Sequence, residues 1–270
     1  LKMEKLFNGD KLYMLPSVTP LQCMGFVLAG EGDVIAVDSG TQAEADELET
    51  LLLSLGGRVD KWFLTHGHFD HIEGLIETLE RGKIAVGSIV YRFPPLDYIE
   101  RVERNENRKA RVADLERAIA ARGVPVVRPE KGKAIAAGHF RVLPLSDGSA
   151  VGETLNPSSV VYRVDTRGES VLFLGDMDWR AEEKILKEFP NEIRCNVVQM
   201  AHHGQQGVTE RFYRAVRPRV CFWPTPEWLW NNDIGGGYGT GPFETLKTRA
   251  WMEKMNTVNY RFGQEITEVE

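Results

Sequence analysis

Five of the chain's six histidines fall in two short clusters, His66, His68 and His71, then His202 and His203. Imidazole and carboxylate are the usual ligands of Zn²⁺ and related divalent ions, and Asp70 sits inside the first cluster. His66 and His68 are two residues apart, so an extended backbone sends both side chains to one side, where they can chelate one ion. Asp70 and His71 follow as the chain turns into a helix, which aims them at a neighbouring second ion. Gly67 is expected to leave room beside the ions, and Gly74 to let the following helix pack closely. A polar loop assembled by chance is a poor account of four ligand-type residues within six positions, directly after the apolar run Trp62-Phe63-Leu64.

Two later segments complete the set. Val171-Leu172-Phe173-Leu174 is an apolar strand that ends in Gly175-Asp176. A carboxylate has two oxygens and several lone pairs and can bridge two cations; the plainer reading of Asp176 is a turn residue after glycine. Asn196–Met200 leads into Ala201-His202-His203-Gly204, which offers one further imidazole ligand and one structural histidine, with the order of the two left open. Asp38, after the strand Val34–Val37, either orients a ligand histidine through a hydrogen bond or serves the turn Ser39-Gly40. His139 begins a strand and reads as a surface or structural residue. The tryptophans of Trp223–Trp230 and Tyr238 in the glycine-rich stretch Gly235–Gly241 either wall a substrate site or cover the core.

These groups must be positioned by alternating strands and helices. Lys11–Leu15, Cys23–Ala29 and Val34–Val37 read as strands, and Ala43–Leu55 as a helix with Leu48, Leu51, Leu52 and Leu55 on one face. After the first histidine cluster a helix is expected over Ile72–Glu80, a strand over Lys83–Ile89, and a long helix over Tyr98–Arg122. Ile99, Val102, Leu115, Ala118 and Ile119 face inward in that helix. Its mixed charges (Arg101, Glu103, Arg104, Glu106, Arg108, Lys109, Arg111) read as a solvated face rather than a nucleic-acid stripe. Strands over Phe140–Leu145, Ser159–Asp165, Ser170–Leu174, Asn196–Met200 and Arg219–Trp223, with helices over Glu182–Phe189, Thr209–Val216 and Glu244–Met255, continue the rhythm to a closing strand near Thr257–Tyr260. The pattern is α/β, and no Pro/Gly/Ser linker divides it, so one domain over residues 1–270 is expected.

The chain has 33 Lys+Arg against 39 Asp+Glu, a net charge of −6. That balance does not indicate broad binding to nucleic acid or anionic lipid, while a locally basic groove for nucleic acid stays open, and no apolar run reaches the roughly 20 residues of a membrane span. Leu1-Lys2-Met3-Glu4-Lys5 is too polar for a secretory signal, although a first residue other than Met leaves a trimmed leader or tag open. Cys23, Cys195 and Cys221 form no CxxC pair and read as reduced core residues of a cytoplasmic protein.

His66-x-His68-x-Asp70-His71 resembles the HxHxDH signature of the metallo-β-lactamase-fold hydrolases, and the later strand-end Asp176 and strand-end histidine follow the same order. Asn156-Pro157-Ser158-Ser159-Val160-Val161, Phe173-Leu174-Gly175-Asp176 and Ala201-His202-His203-Gly204 further resemble the hydrolase domain of the competence protein ComEC, with Gln205 where that pattern has Ser. The resemblance spans Lys11 to Trp223. It implies a four-layer αββα sandwich and one or two divalent ions, zinc foremost, manganese or iron otherwise. His66 and His68 would hold one ion, completed by Asn156 or water where many relatives have another histidine. Asp70, His71 and one of His202/His203 would hold the other, and Asp176 would bridge. Asp70, Asp176 and His203 are the residues expected at the reacting centre, where a metal-bound hydroxide attacks a small-molecule phosphoester or phosphodiester. An acyl hydrolase acting on a lactone, thioester or lactam, an iron-dependent redox enzyme and a non-catalytic metal-binding protein stand as alternatives.

Overall fold

A computed structural model describes residues 6–103, 111–149 and 152–270. Two seven-stranded sheets face each other across a shared core. The first holds, in spatial order, β16 (Thr267–Val269), β1 (Lys11–Met14), β2 (Gly25–Gly30), β3 (Asp33–Asp38), β5 (Lys61–Phe63), β7 (Ile89–Val90) and β8 (Val126–Val127). The second holds β15 (Val258–Arg261), β14 (Val220–Trp223), β13 (Val197–Gln199), β12 (Val171–Phe173), β11 (Tyr162–Asp165), β10 (Phe140–Pro144) and β9 (Ile135–Ala137). A two-stranded ribbon, β4 (Arg58–Val59) with β6 (Ala85–Val86), lies apart from both.

Each sheet is antiparallel in one half and parallel in the other. Pairing is antiparallel from β16 to β3 and parallel from β3 through β5 and β7 to β8. In the second sheet it is antiparallel from β9 to β12 and parallel from β12 to β15. Parallel strands are buried on both faces and read as continuous apolar runs, as β12 (Val-Leu-Phe) does; β13 (Val-Val-Gln) is equally buried but ends in a polar residue. Phe26 of β2 meets Phe173 of β12 at 5.2 Å and Phe222 of β14 at 6.1 Å between ring centroids, so the sheets interlock through aromatic edges.

Helices α1 (Ala45–Ser54), α2 (Phe69–Arg81), α3 (Leu96–Val102) and α4 (Arg111–Arg122) cover the first sheet. Helices α5 (Trp179–Glu188), α6 (Glu210–Val216) and α8 (Thr245–Lys254) cover the second through a separate apolar cluster, with the short α7 (Glu227–Trp230) beside them. The four-layer αββα sandwich is therefore present. In α2, Ile72, Leu75, Ile76 and Leu79 form the apolar stripe, and Gly82 ends the helix at φ 66°. Among the described residues no helix is long and apolar enough to cross a membrane.

The structure corrects two expected elements. The strand expected over Lys83–Ile89 is split into β6 and β7, which belong to different sheets, with Gly87 and Ser88 between them. A Cβ on Gly87 would lie 2.6 Å from the carbonyl oxygen of Asp60, so the chain turns there against neighbouring backbone. The long helix over Tyr98–Arg122 is not continuous: α3 ends at Val102, and Glu103 is extended (φ −91°, ψ 90°). Arg104, Glu106, Arg108 and Lys109 lie outside the described residues. Glu103, read as part of a solvated face, is buried at 4% exposure. Strands β9 and β16 were not legible because both are three-residue edge strands.

Candidate metal centre

The metal-type side chains gather where strands of both sheets end. β5 delivers Thr65–His71, β12 delivers Asp176, and β13 delivers His202 and His203. All three belong to parallel portions of their sheets and present their C-terminal ends, the usual location of sites in open α/β sheets. The phenolic Oη of Tyr162, on β11 of the second sheet, donates to the carbonyl of Leu64 at 3.1 Å. That bond fixes the end of β5 against the opposite sheet just before the first histidine cluster.

Two ligand groups result. His66, His68 and Asp176 form one, and Asp70, His71 and His203 the other; within each group the donor atoms lie within 4.8 Å of one another and every residue is buried. Asp176 stands between them: Oδ2 is 3.8 Å from His66 Nε2, while Oδ1 is 3.4 Å from His71 Nε2 and 3.6 Å from His203 Nε2. Its turn is shaped by Gln199, whose Oε1 accepts from the backbone N–H groups of Leu174 and Gly175 at 2.8 and 2.9 Å. The Asp176 N–H donates to Ser159 Oγ at 3.1 Å.

The hydrogen bonds around the rings decide which nitrogens face inward. Thr65 Oγ1 donates to Asp38 Oδ2 at 2.7 Å and lies 3.1 Å from His66 Nδ1, so it accepts from that nitrogen and leaves the lone pair on His66 Nε2. His68 Nε2 lies 2.8 Å from Glu103 Oε1 and donates to it, which leaves the lone pair on Nδ1. The two lone-pair nitrogens are 3.0 Å apart. Two acceptors at that distance repel unless a cation or proton lies between them, and nitrogens bound to one zinc at about 2.0–2.1 Å sit at comparable separations. His71 Nδ1 donates to Asp38 Oδ2 at 2.7 Å, and His203 Nδ1 to the Pro224 carbonyl at 2.8 Å, so both turn Nε2 inward. His71 Nε2, His203 Nε2 and Asp176 Oδ1 are buried and have no hydrogen-bond partner among the described residues. Buried polar atoms are rarely left so, and these three converge. The residues present therefore fit divalent ions.

Charge follows the same geometry. Burial opposes charge on His71, yet the carboxylates of Asp176, Asp38 and Asp70 raise its pKa well above the imidazole value. His203 is raised in the same way by Asp176 and Asp70 against burial. His66 is pushed well below that value, first by burial and then by the neighbouring His71 and His68. Burial would raise Asp176, but His203, His71 and His202 hold it well below the carboxylate range. What attracts protons to His71 and His203 would equally attract a cation.

The structure separates His202 from His203. Both take left-handed backbone angles, φ 50° and 54°, which costs on the order of 1–2 kcal/mol per non-glycine residue. His203 is wholly buried and joins Asp70 and His71, while His202 stands outside both ligand groups. His202 Nε2 lies 3.7 Å from Asp176 Oδ2 and accepts from Asn156 Nδ2 at 3.0 Å. Asn156 Oδ1 has no hydrogen-bond partner among the described residues. Asp38 binds the motif directly, through His71, Thr65 Oγ1 and the Thr65 N–H at 2.8 Å, beyond any turn chemistry. Gly74 meets its expectation, since a Cβ there would lie 2.1 Å from the Ser39 carbonyl oxygen. Gly67 does not: its Cβ would strike Val112 of α4 at 2.6 Å, so packing against that helix, not room for ions, requires glycine.

Trp223 is fully buried in the core under the second sheet. Trp228 lines a cavity of about 910 Å³ with Ser17 and Thr225, and Tyr238 is exposed. A second cavity, of about 640 Å³, is lined in part by Asn156 and His202, beside the ligand groups. Glu103, Gln199 and Thr65 were missed as supporting residues. Thr65 directly precedes the motif, a signal that was available, whereas Glu103 was hidden in a run of mixed charge.

The profile of the metallo-beta-lactamase superfamily matches residues 18–257. The chain belongs to this superfamily. Its members are metallo-hydrolases, and the HxHxDH resemblance and the sandwich are accounted for together. ComE operon protein 3 of Bacillus subtilis (strain 168) is 26% identical over 165 residues, covering 61% of this chain and 20% of that protein, so the chain matches only about a fifth of that relative's length. Among solved structures, CmlA, a diiron β-hydroxylase from Streptomyces venezuelae, superposes with a TM-score of 0.59 at 12% identity over 97% of this chain and 54% of its own. A diphosphatase from the PhnP family superposes with a TM-score of 0.52 at 14% identity, over 97% of each chain. At such identities the structural likeness concerns the fold.

Proposed function

We propose that the protein is a metal-dependent hydrolase of a phosphoester, a phosphodiester foremost. In this reading His66, His68 and Asp176 would hold one divalent ion, with the buried, unpartnered Asn156 Oδ1 as a further donor, and Asp70, His71, His203 and Asp176 would hold the other. The observation that carries the reading is Asp176, one carboxylate whose two oxygens face different ligand groups. Divalent ions held by these residues would supply an ionised water near neutral pH and charge stabilisation for the entering and departing oxygens of an in-line displacement. The chain's own residues do the rest. Asp38 holds the Nδ1 proton of His71, and the Pro224 carbonyl holds that of His203. Imidazole-rich donors favour zinc, and the amide oxygen of Asn156 would let manganese compete at the first site.

The cavity of about 640 Å³ is the place for substrate, because Asn156 and His202 open into it. Its cations Arg180, Arg211 and Lys247 are balanced by Asp178, Glu210 and Glu244, and Trp179 adds a flat apolar wall. That lining suits a small ester with an apolar part better than a long polyanion. Three buried, unpaired thiols fit a reducing compartment such as the cytoplasm.

Protein loaded with zinc or manganese is expected to hydrolyse bis(4-nitrophenyl) phosphate. Asp176→Ala should cost on the order of 10³-fold in rate and release bound metal. Turnover of a lactone or thioester with no turnover of the diester would replace this reading with acyl hydrolysis. Iron retained with visible absorption would replace it with redox chemistry.

A further inference from the structure

Glu103 stands 32 residues beyond the HxHxDH motif, at the end of α3, yet one of its oxygens joins two parts of the centre. Oε1 accepts from His68 Nε2 at 2.8 Å and from the backbone N–H of Leu155 at 2.9 Å. Leu155 directly precedes Asn156, whose side chain reaches His202 and opens into the 640 Å³ cavity. The side chains involved are buried, Glu103 at 4% and His68 at 7% exposure, so water does not compete for the contact.

From this geometry we infer that Glu103 is the positioning residue of the first metal site alone: it fixes the His68 tautomer and the place of Asn156. An imidazole that donates from Nε2 has its lone pair on Nδ1, and Nδ1 is the nitrogen that faces His66 Nε2. Without the carboxylate, His68 could carry its proton on either nitrogen, and the tautomer with Nδ1–H cannot bind an ion beside His66. A carboxylate partner also makes the imidazole a stronger donor, and partners of this kind are typically worth 10–100-fold in metal affinity. The second site does not share the dependence, because His71 and His203 are oriented by Asp38 and the Pro224 carbonyl. Helix α3 and the Leu155–Ser158 segment thus govern one ion and leave the other alone.

The inference rests on the ligand assignment proposed above, and its test reads metal and protons rather than turnover. Cobalt titrations of Glu103→Ala combined with His203→Ala should show the first site weakened 10–100-fold relative to His203→Ala alone. Glu103→Ala combined with His66→Ala should bind at the second site as His66→Ala does. Glu103→Gln, whose amide oxygen can still accept both hydrogens, should recover most of the first-site affinity. Equal weakening of both sites, or none at either, would overturn the inference. Nitrogen-15 spectra of the metal-free wild type provide an arm independent of whether the alanine variant folds. A proton on His68 Nε2 supports the assignment, whether or not Nδ1 is protonated as well, and a bare Nε2 refutes it. If wild type bound no divalent ion at all, the hydrolase reading would fail, while the tautomer measurement would still judge Glu103.

Discussion

Strand β3 carries an aspartate at each end, and each holds a histidine. Asp38 takes the Nδ1 proton of His71 at 2.7 Å, and Asp33 meets His139 Nδ1 at 2.9 Å. The five residue steps from one to the other span roughly 17 Å of strand, enough to put the two pairs at opposite ends of the sandwich. At the Asp33 end both ring nitrogens of His139 are in use, the second lying 3.1 Å from Asp10 Oδ1. Arg167 binds that same aspartate through its N–H at 2.9 Å and its Nε at 3.1 Å. At the Asp38 end the aspartate uses one nitrogen and turns the other into a buried space shared with Asp176. Residue types scarcely differ between the two clusters. A histidine spent on both sides is a clamp, whereas one with a buried nitrogen left over, aimed where others are aimed, is placed to be a ligand.

The sharpest way to break the comparison is to count metal. His203→Ala should lower bound zinc from two equivalents to one, while His139→Ala should leave both; elemental analysis after desalting checks this, and a loss caused by His139→Ala would erase the distinction. A smaller effect is expected at the aspartates. Asp38→Asn should weaken the second site 10–100-fold by disturbing the tautomer of His71, and Asp33→Asn should leave metal affinity unmoved, as competition with a chromogenic chelator would show.

The smallest effect is on stability. Burial opposes charge on His139, but Asp33 and Asp10 raise its pKa above the imidazole value. A raised pKa means that the charged form is favoured by folding. The clamp's contribution is therefore complete below about pH 6.5 and is lost as pH climbs through the raised value in the folded protein. His139→Ala should cost about 1 kcal/mol at pH 5.5 and less at pH 9, measured by urea unfolding; a cost that grew with pH would contradict the charged clamp.

Much of the metal centre was legible because its ligands come in local runs. His66 to His71 lie within one strand end and one helix turn, so spacing indicated that they act together; that Asp176 and a later histidine join them was implied by the resemblance. Order within the pair His202-His203 was not legible, because it depends on two left-handed residues that no pattern announces. Glu103 was lost for a related reason. A carboxylate in a run of alternating charge reads as solvated, and only the end of α3 at Val102 turns it inward. Likewise Gly67 had a plausible local reason that was not the operative one, since the atom it avoids belongs to Val112, 45 residues away. Among the strands, apolar central ones were visible, and two- or three-residue edge strands were not, because pairing rather than composition defines them.

The tyrosine that reaches from β11 to Leu64 ties together halves that each bring part of the ligand set. An ion gripped there would be a rivet through both plates of the sandwich. Cation supply would then govern how firmly the plates stay closed, adding about 2.7 kcal/mol when the ion stands at a hundred times its dissociation constant, so that scarcity of metal would loosen the whole fold as well as silence the chemistry.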